Sequence, residues 1–182
     1  MKVFRISAAA SILSCILVAT APAGFAADSA SFEFGTGDKT KMVRVGAQWK
    51  WDAMWWQSNG THIGGYWDLT LAQWRGNRFR NIPGNTQNIT AIGITPVFRF
   101  QNDSRKGLYF EAGIGAHLLS ELYDNNDQQL STRFQFGDHL GIGYVFANNA
   151  DVSLKIQHFS NGSIKKPNDG VNFAVVRVSY PF

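Results

Sequence analysis

The sequence is almost without cysteine, and its single one, Cys15, lies in a segment outside the mature fold. Lys2 and Arg5 precede a largely apolar run from Ile6 to Val18, and the small-residue sites Ala21-Pro22-Ala23 and Gly24-Phe25-Ala26 follow. That anatomy is a secretory signal peptide. With cleavage expected after Ala26, residues 1–26 are leader and 27–182 form one domain. Ile12-Leu13-Ser14-Cys15 is a poor lipobox followed by more apolar residues, which disfavours a lipoprotein. An exported chain of about 156 residues without a disulfide must be stabilised in another way.

Excess charge is scarce too. The formal net charge is +4, but the leader holds two of the 17 basic residues and none of the 13 acids, leaving the mature chain at +2. So small a surplus gives no electrostatic reason to expect nucleic acid. After the leader, no apolar run is long enough for a membrane helix. Fourteen phenylalanines and six tryptophans therefore need another explanation.

The explanation is alternation. Val43, Val45, Ala47, Trp49 and Trp51 alternate with Met42, Arg44, Gly46, Gln48 and Lys50. Trp67, Leu69 and Leu71 oppose Asp68 and Thr70; Ile92, Ile94, Pro96, Phe98 and Phe100 oppose Gly93, Thr95 and Arg99. Phe110, Ala112, Ile114 and Ala116 oppose Glu111, Gly113, Gly115 and His117. Arg133 to Phe146, Val152 to Ser160 and the final segment ending at Phe182 repeat the pattern, and a short Ser31 to Gly35 makes eight. Segments of about ten residues, apolar on one face and small or charged on the other, predict an all-β, eight-stranded antiparallel transmembrane β-barrel. Arg44, Lys50, Asp68, Arg99, Glu111, Arg133, Lys155 and Arg177 would then point inward. A soluble barrel would invert the faces, and periodicity alone does not separate the two. The leader, the aromatics near segment ends and the terminal phenylalanine favour the bacterial outer membrane. Short turns such as 102–107 and 147–151 would lie on the periplasmic side, and longer loops outside.

One stretch breaks the apolar wall. In Val152 to Ser160, His158 and Ser160 share a face with Val152, Leu154 and Ile156, about 7 Å apart at Cα. With Ala147 to Asp151 as the turn, Leu140 would oppose His158 and Asp138 would oppose Ser160, with outward parity. The loop 161–170 brings Asn172 back to the same height. Polar groups facing lipid are costly unless paired or interfacial. Four converging ones point to chemistry, against the plainer reading that a strand turns polar where it leaves the membrane. His62, His117 and His139 are read as structural, inside the barrel or at strand ends.

His158-Phe159-Ser160-Asn161, followed by Ile164-Lys165-Lys166-Pro167-Asn168-Asp169-Gly170, resembles the signature of the lipid A 3-O-deacylase (PagL) family. The resemblance extends to Trp49-Lys50-Trp51, Trp55-Trp56-Gln57, Gly65-Tyr66-Trp67-Asp68 and Glu111-Ala112-Gly113-Ile114-Gly115. It implies an outer-membrane esterase that hydrolyses the acyl ester at position 3 of lipid A, with His158 as base, Ser160 as nucleophile and Asn161 contributing to the oxyanion hole. The family pattern has a glutamate two residues after the Asp-Gly; here that position is Asn172. An asparagine can orient an imidazole but brings no charge. Asp138 or Asp169 would be the charged substitute, and losing the Asp138 charge is expected to cost more turnover than truncating Asn172. Lys165 and Lys166 either hold a lipid A phosphate or are solvated loop charges. Expected partners are lipid A or lipopolysaccharide, outer-membrane lipids and, as an open alternative, a second copy of the chain, with no cofactor and no metal. The rival functions are a non-enzymatic small barrel, another membrane lipid hydrolase or acyltransferase, and a soluble lipocalin-like carrier.

Overall fold

Alternating residues with β-branched and aromatic side chains suit pleated strands, and strands dominate the chain. The computed structural model describes residues 26–182, so the predicted leader lies outside the described residues except for Ala26. The strands are β1 (Ser29–Gly37), β2 (Thr40–Lys50), the short β3 (Trp55–Ser58), β4 (Thr61–Gly76), β5 (Gln87–Asn102) and β6 (Gly107–Leu119). A small hairpin of β7 (Asp124–Asn125) and β8 (Gln128–Gln129) precedes β9 (Phe134–Val145), β10 (Asp151–Ser160) and β11 (Val171–Pro181). Eight strands pair in the order β2-β1-β11-β10-β9-β6-β5-β4, and β4 pairs back onto β2, which closes the barrel. β1 and β11, the first and last strands, are antiparallel neighbours, so no edge is left open along this wall.

Burial decides which face is inside. Leu140 and Ile156 are each 71% exposed, and Phe32, Leu71, Ile94 and Phe110 are exposed with them. Glu33, Arg44, Asp68, Arg99, Glu111, Asp151, Lys155 and Arg177 are buried. A barrel in water would carry these faces the other way round, so this apolar wall is built for lipid. Those buried residues are four acids and four bases, and each is ion-paired or hydrogen-bonded. Lys155 Nζ lies 2.8 Å from Glu33 Oε1, and Arg44 binds the other oxygen of the same carboxylate. Arg99 bridges Glu111 at 3.0 Å and Asp151 at 2.8 Å, while Asp68 accepts from Gln48 Nε2 at 2.8 Å. Pairing of this kind is what a low-dielectric interior demands.

The expected inward set needs two corrections. Lys50 and Arg133 lie at or just beyond strand ends and are exposed, where water solvates them. Glu33 and Asp151 complete the charge balance, and neither was singled out by alternation. The upper interior also departs from the small-or-charged expectation. Met42, Trp74, Ile89, Leu119, Tyr123, Leu130, Phe159 and Phe173 form one buried apolar cluster there. Glycines make room for the larger inward rings: a Cβ on Gly93 would lie 1.9 Å from His117 Nδ1.

The start of β1, the end of β11 and the turns 103–106 and 146–150 share one end of the barrel; the loops 77–86, 120–133 and 161–170 share the other. By loop length, the first of these ends is periplasmic. Trp51 marks that end, with ring centroids 5.0 Å from Phe98 and 6.1 Å from Trp67, as an interfacial girdle requires.

The β9–β10 register differs from the expected one by two residues. Asp151 pairs with Val145, Ile156 with Leu140, His158 with Asp138, and Ser160 with Phe136. The turn closes one residue early, through Phe146 N–H to Ala150 O at 2.8 Å and Asn149 N–H to Phe146 O at 3.0 Å, with Asn149 at φ 68°. Asp151 reads as a turn residue, but it starts β10 because the barrel interior claims its carboxylate. Parity survives a shift of two.

Candidate active site on the outer wall

Phe159 sets the end of β10. Its ring points inward, 4.7 Å from Trp74 and 5.0 Å from His117 between centroids, so its neighbours His158 and Ser160 must point outward. Both are half-buried on the wall near the extracellular end. His158 stands between two ladder partners, Asn172 on β11 and Asp138 on β9. Its Nδ1 lies 2.7 Å from Asn172 Oδ1. That oxygen can only accept, so Nδ1 carries the proton and Nε2 is left with its lone pair. The Ser160 hydroxyl has no hydrogen-bond partner among the described residues.

Gly170 shapes the other side of the imidazole. It sits at φ 77°, and a Cβ there would come within 2.6 Å of His158 Cε1. Both facts call for glycine. The close approach is invisible in the sequence, although Gly170 lies within the motif.

The loop 161–170 is tied down from both sides. Asn161 and Ile164 close a two-residue turn through Ile164 N–H to Asn161 O at 3.2 Å, with Gly162 and Ser163 both at φ 63°. Positive φ at both central residues is the type I′ geometry. Asn168 Oδ1 accepts the Asn161 N–H at 2.8 Å. The neighbouring loop adds Ser131 Oγ to Lys165 O at 2.7 Å and Gln129 N–H to Asp169 Oδ2 at 2.7 Å. The ties through Ser131 and Gln129 join residues from separate loops, that through Asn168 spans the loop itself, and alternation carried no signal for any of them.

The expected site residues thus fall into two groups. His158, Ser160, Asn172 and Asp138 converge on the outer wall. Asn161, expected at the oxyanion hole, has inward parity and is buried; its Nδ2 donates to Lys165 O at 2.7 Å and Ser131 Oγ at 3.3 Å. Its side chain is committed to holding the loop and does not face an ester. Asp169 is likewise spent on Gln129. The Asp138 side chain makes no hydrogen bond to His158 among the described residues; its backbone carbonyl accepts from Gln157 Nε2 at 3.0 Å. Lys165 and Lys166 are exposed at the loop's crest. Below Ser160 the wall is apolar, with Leu140 and Ile156 exposed, and above it, toward the loops, Phe134 and the loop residue Ile164 are exposed too.

A family profile described as lipid A 3-O-deacylase (PagL) matches residues 41–181. The chain belongs to that family. Lipid A deacylase PagL of Pseudomonas aeruginosa is 35% identical over 159 residues, covering 87% of each chain. The homonymous protein of Bordetella bronchiseptica is 33% identical over 171 residues, covering 90% of this chain and 89% of its own. Among solved structures, the outer membrane enzyme PagL superposes with a TM-score of 0.73 at 29% identity, covering 85% of this chain and 99% of the other. Membership in the PagL family makes this chain an outer-membrane enzyme, a lipid A 3-O-deacylase, with lipid A as its substrate. The matched span contains every residue of the outer-wall cluster, from Asp138 to Asn172.

Proposed function

We propose that the chain hydrolyses the ester at position 3 of lipid A by a serine mechanism, with Ser160 as nucleophile and His158 as general base. The observation that carries this reading is the 2.7 Å contact between His158 Nδ1 and Asn172 Oδ1. It leaves Nε2 basic, and Nε2 is the nitrogen able to accept the serine proton. Ser160 Oγ attacks the acyl carbonyl carbon and its proton passes to Nε2. The tetrahedral intermediate then expels the sugar 3-oxygen, which takes that proton back. Water, deprotonated by the same nitrogen, releases the fatty acid from the serine.

The backbone N–H groups of Gly162 and Ser163 are assigned to the oxyanion. They come two and three residues after the nucleophile, beyond Asn161, and the left-handed turn leaves them without partners among the described residues. The apolar surface of Phe134, Leu140, Ile156 and Ile164 suits the acyl chain, which then stays in the membrane throughout. Lys165 and Lys166 suit the phosphate on the same sugar.

The missing carboxylate divides its work between two residues. Asn172 orients the ring, and Asp138, across the other ladder, supplies negative charge without a hydrogen bond. With Asn172 in direct contact, its truncation is expected to cost more than neutralising Asp138, the reverse of the order expected from sequence. Mass spectrometry of lipid A from cells making wild-type or Ser160→Ala protein at equal barrel levels tests the reading. Loss of one ester-linked acyl chain in the wild type alone is expected; the same loss with Ser160→Ala would remove the nucleophile.

A further inference from the structure

Across the barrel from His158 lies a second polar break in the outer wall. Lys41 on β2 and Arg75 on β4 are direct ladder partners. Their chain neighbours Met42 and Trp74 are buried inward, so both cations point out, and both are exposed. Two like charges directly opposite on one sheet face repel each other. No acid relieves them: the next ladder partners are Thr36 on β1 and Asn88 on β5, and neither cation forms an ion pair among the described residues. Lys39 adds a third positive charge at the β1–β2 tip. Its position is held by Asn77 N–H to Lys39 O at 3.0 Å, and its backbone is left-handed at φ 51°.

These three cations line a groove of about 420 Å³ together with Thr36, Gly37, Thr40 and Asn77, and no carboxylate lines it. Asp38, the nearest acid in sequence, is turned to Asn126 Nδ2 at 2.6 Å. The height is set by the wall below, where Val43, Val45, Leu69 and Leu71 are exposed. The groove therefore sits where the apolar band ends on the extracellular side, at the level of outer-leaflet headgroups.

We propose that this groove binds a phosphate of a second lipid A-type glycolipid, held as a resident lipid and not as the molecule being cleaved. The separation follows from strand order. From β10 to β4 the path runs through β11, β1 and β2, four steps in a barrel of eight strands, so Arg75 and His158 lie on opposite walls. A headgroup on one wall does not place its ester on the other. An ammonium and a guanidinium side by side match a phosphate dianion, and unpaired basic residues at a membrane surface draw anionic headgroups. A lipid anchored there fixes the depth of the barrel, and with it the level of the outer-wall site. The inference does not depend on the serine mechanism.

The test is native mass spectrometry of the full mature chain carrying Ser160→Ala, in detergent, titrated with bisphosphorylated lipid A. Two bound lipids are expected, with the second lost or weakened roughly tenfold or more when Lys41→Gln and Arg75→Gln are added. Lys41→Arg should keep both, and removing the lipid phosphates should abolish the second. Heat-modifiable gel mobility checks folding in each variant. Undiminished second binding in a folded double variant overturns the proposal. So does displacement of that lipid by millimolar inorganic phosphate, which would make the groove a simple anion site.

Discussion

The two faces of β10 are one residue apart in sequence and opposite in character. Its inner face is fully engaged. Asp151 pairs with Arg99, Lys155 with Glu33, Gln157 with Arg44 at 3.2 Å, and Phe159 with Trp74. On its outer face Leu154 and Ile156 meet lipid, and His158 to Asn172 is the side-chain hydrogen bond made there. Stability is thus carried inside and chemistry outside, and substitutions on the two faces should have separable effects.

The largest separation is expected for Ser160→Ala and His158→Ala. Each should lower single-turnover deacylation by about a thousandfold or more, while heat-modifiable gel mobility stays that of the wild type. Loss of the folded band in either variant would erase the distinction between the faces. Lys155→Ala is the converse experiment. It leaves Glu33 short of one partner in the interior and should cost about 3 kcal/mol of unfolding free energy in urea. The folded fraction should keep wild-type turnover.

Smaller effects sharpen the outer face itself. Gly170→Ala should lower turnover by roughly a hundredfold, because a Cβ there strikes the imidazole and strains a left-handed backbone. Folding should change little, since the residue sits in a loop. Asn172→Ala should lower turnover by about thirtyfold through loss of the tautomer-setting contact, and Asn172→Glu should match or exceed wild type. The smallest expected effect is that of Asp138→Asn, a few-fold, since a charge without a hydrogen bond acts through a partly wet interface. If Asp138→Asn proves worse than Asn172→Ala, the charge and not the contact orients the base.

Much of this molecule is written in its alternation. Parity is a local property, because each strand residue points opposite to the one before it. Eight segments, the shared face of His158 and Ser160, and the outward parity of Asp138 and Asn172 therefore follow from the sequence alone. The motif around His158 also carried the family. Register is not local. The β9–β10 turn closes one residue early because Asp151 is drawn inward by Arg99, Arg177 and Tyr109, residues on three other strands. That closure put Asp138 opposite His158 and not Ser160. Only the closed barrel brings Glu33 to Lys155, 122 residues away, and only the packed loops take Asn161 out of the site and set Gly170 against the imidazole. Side-chain direction needs one strand, whereas contact needs the turns, the interior charges and the neighbouring loops to agree on a single register.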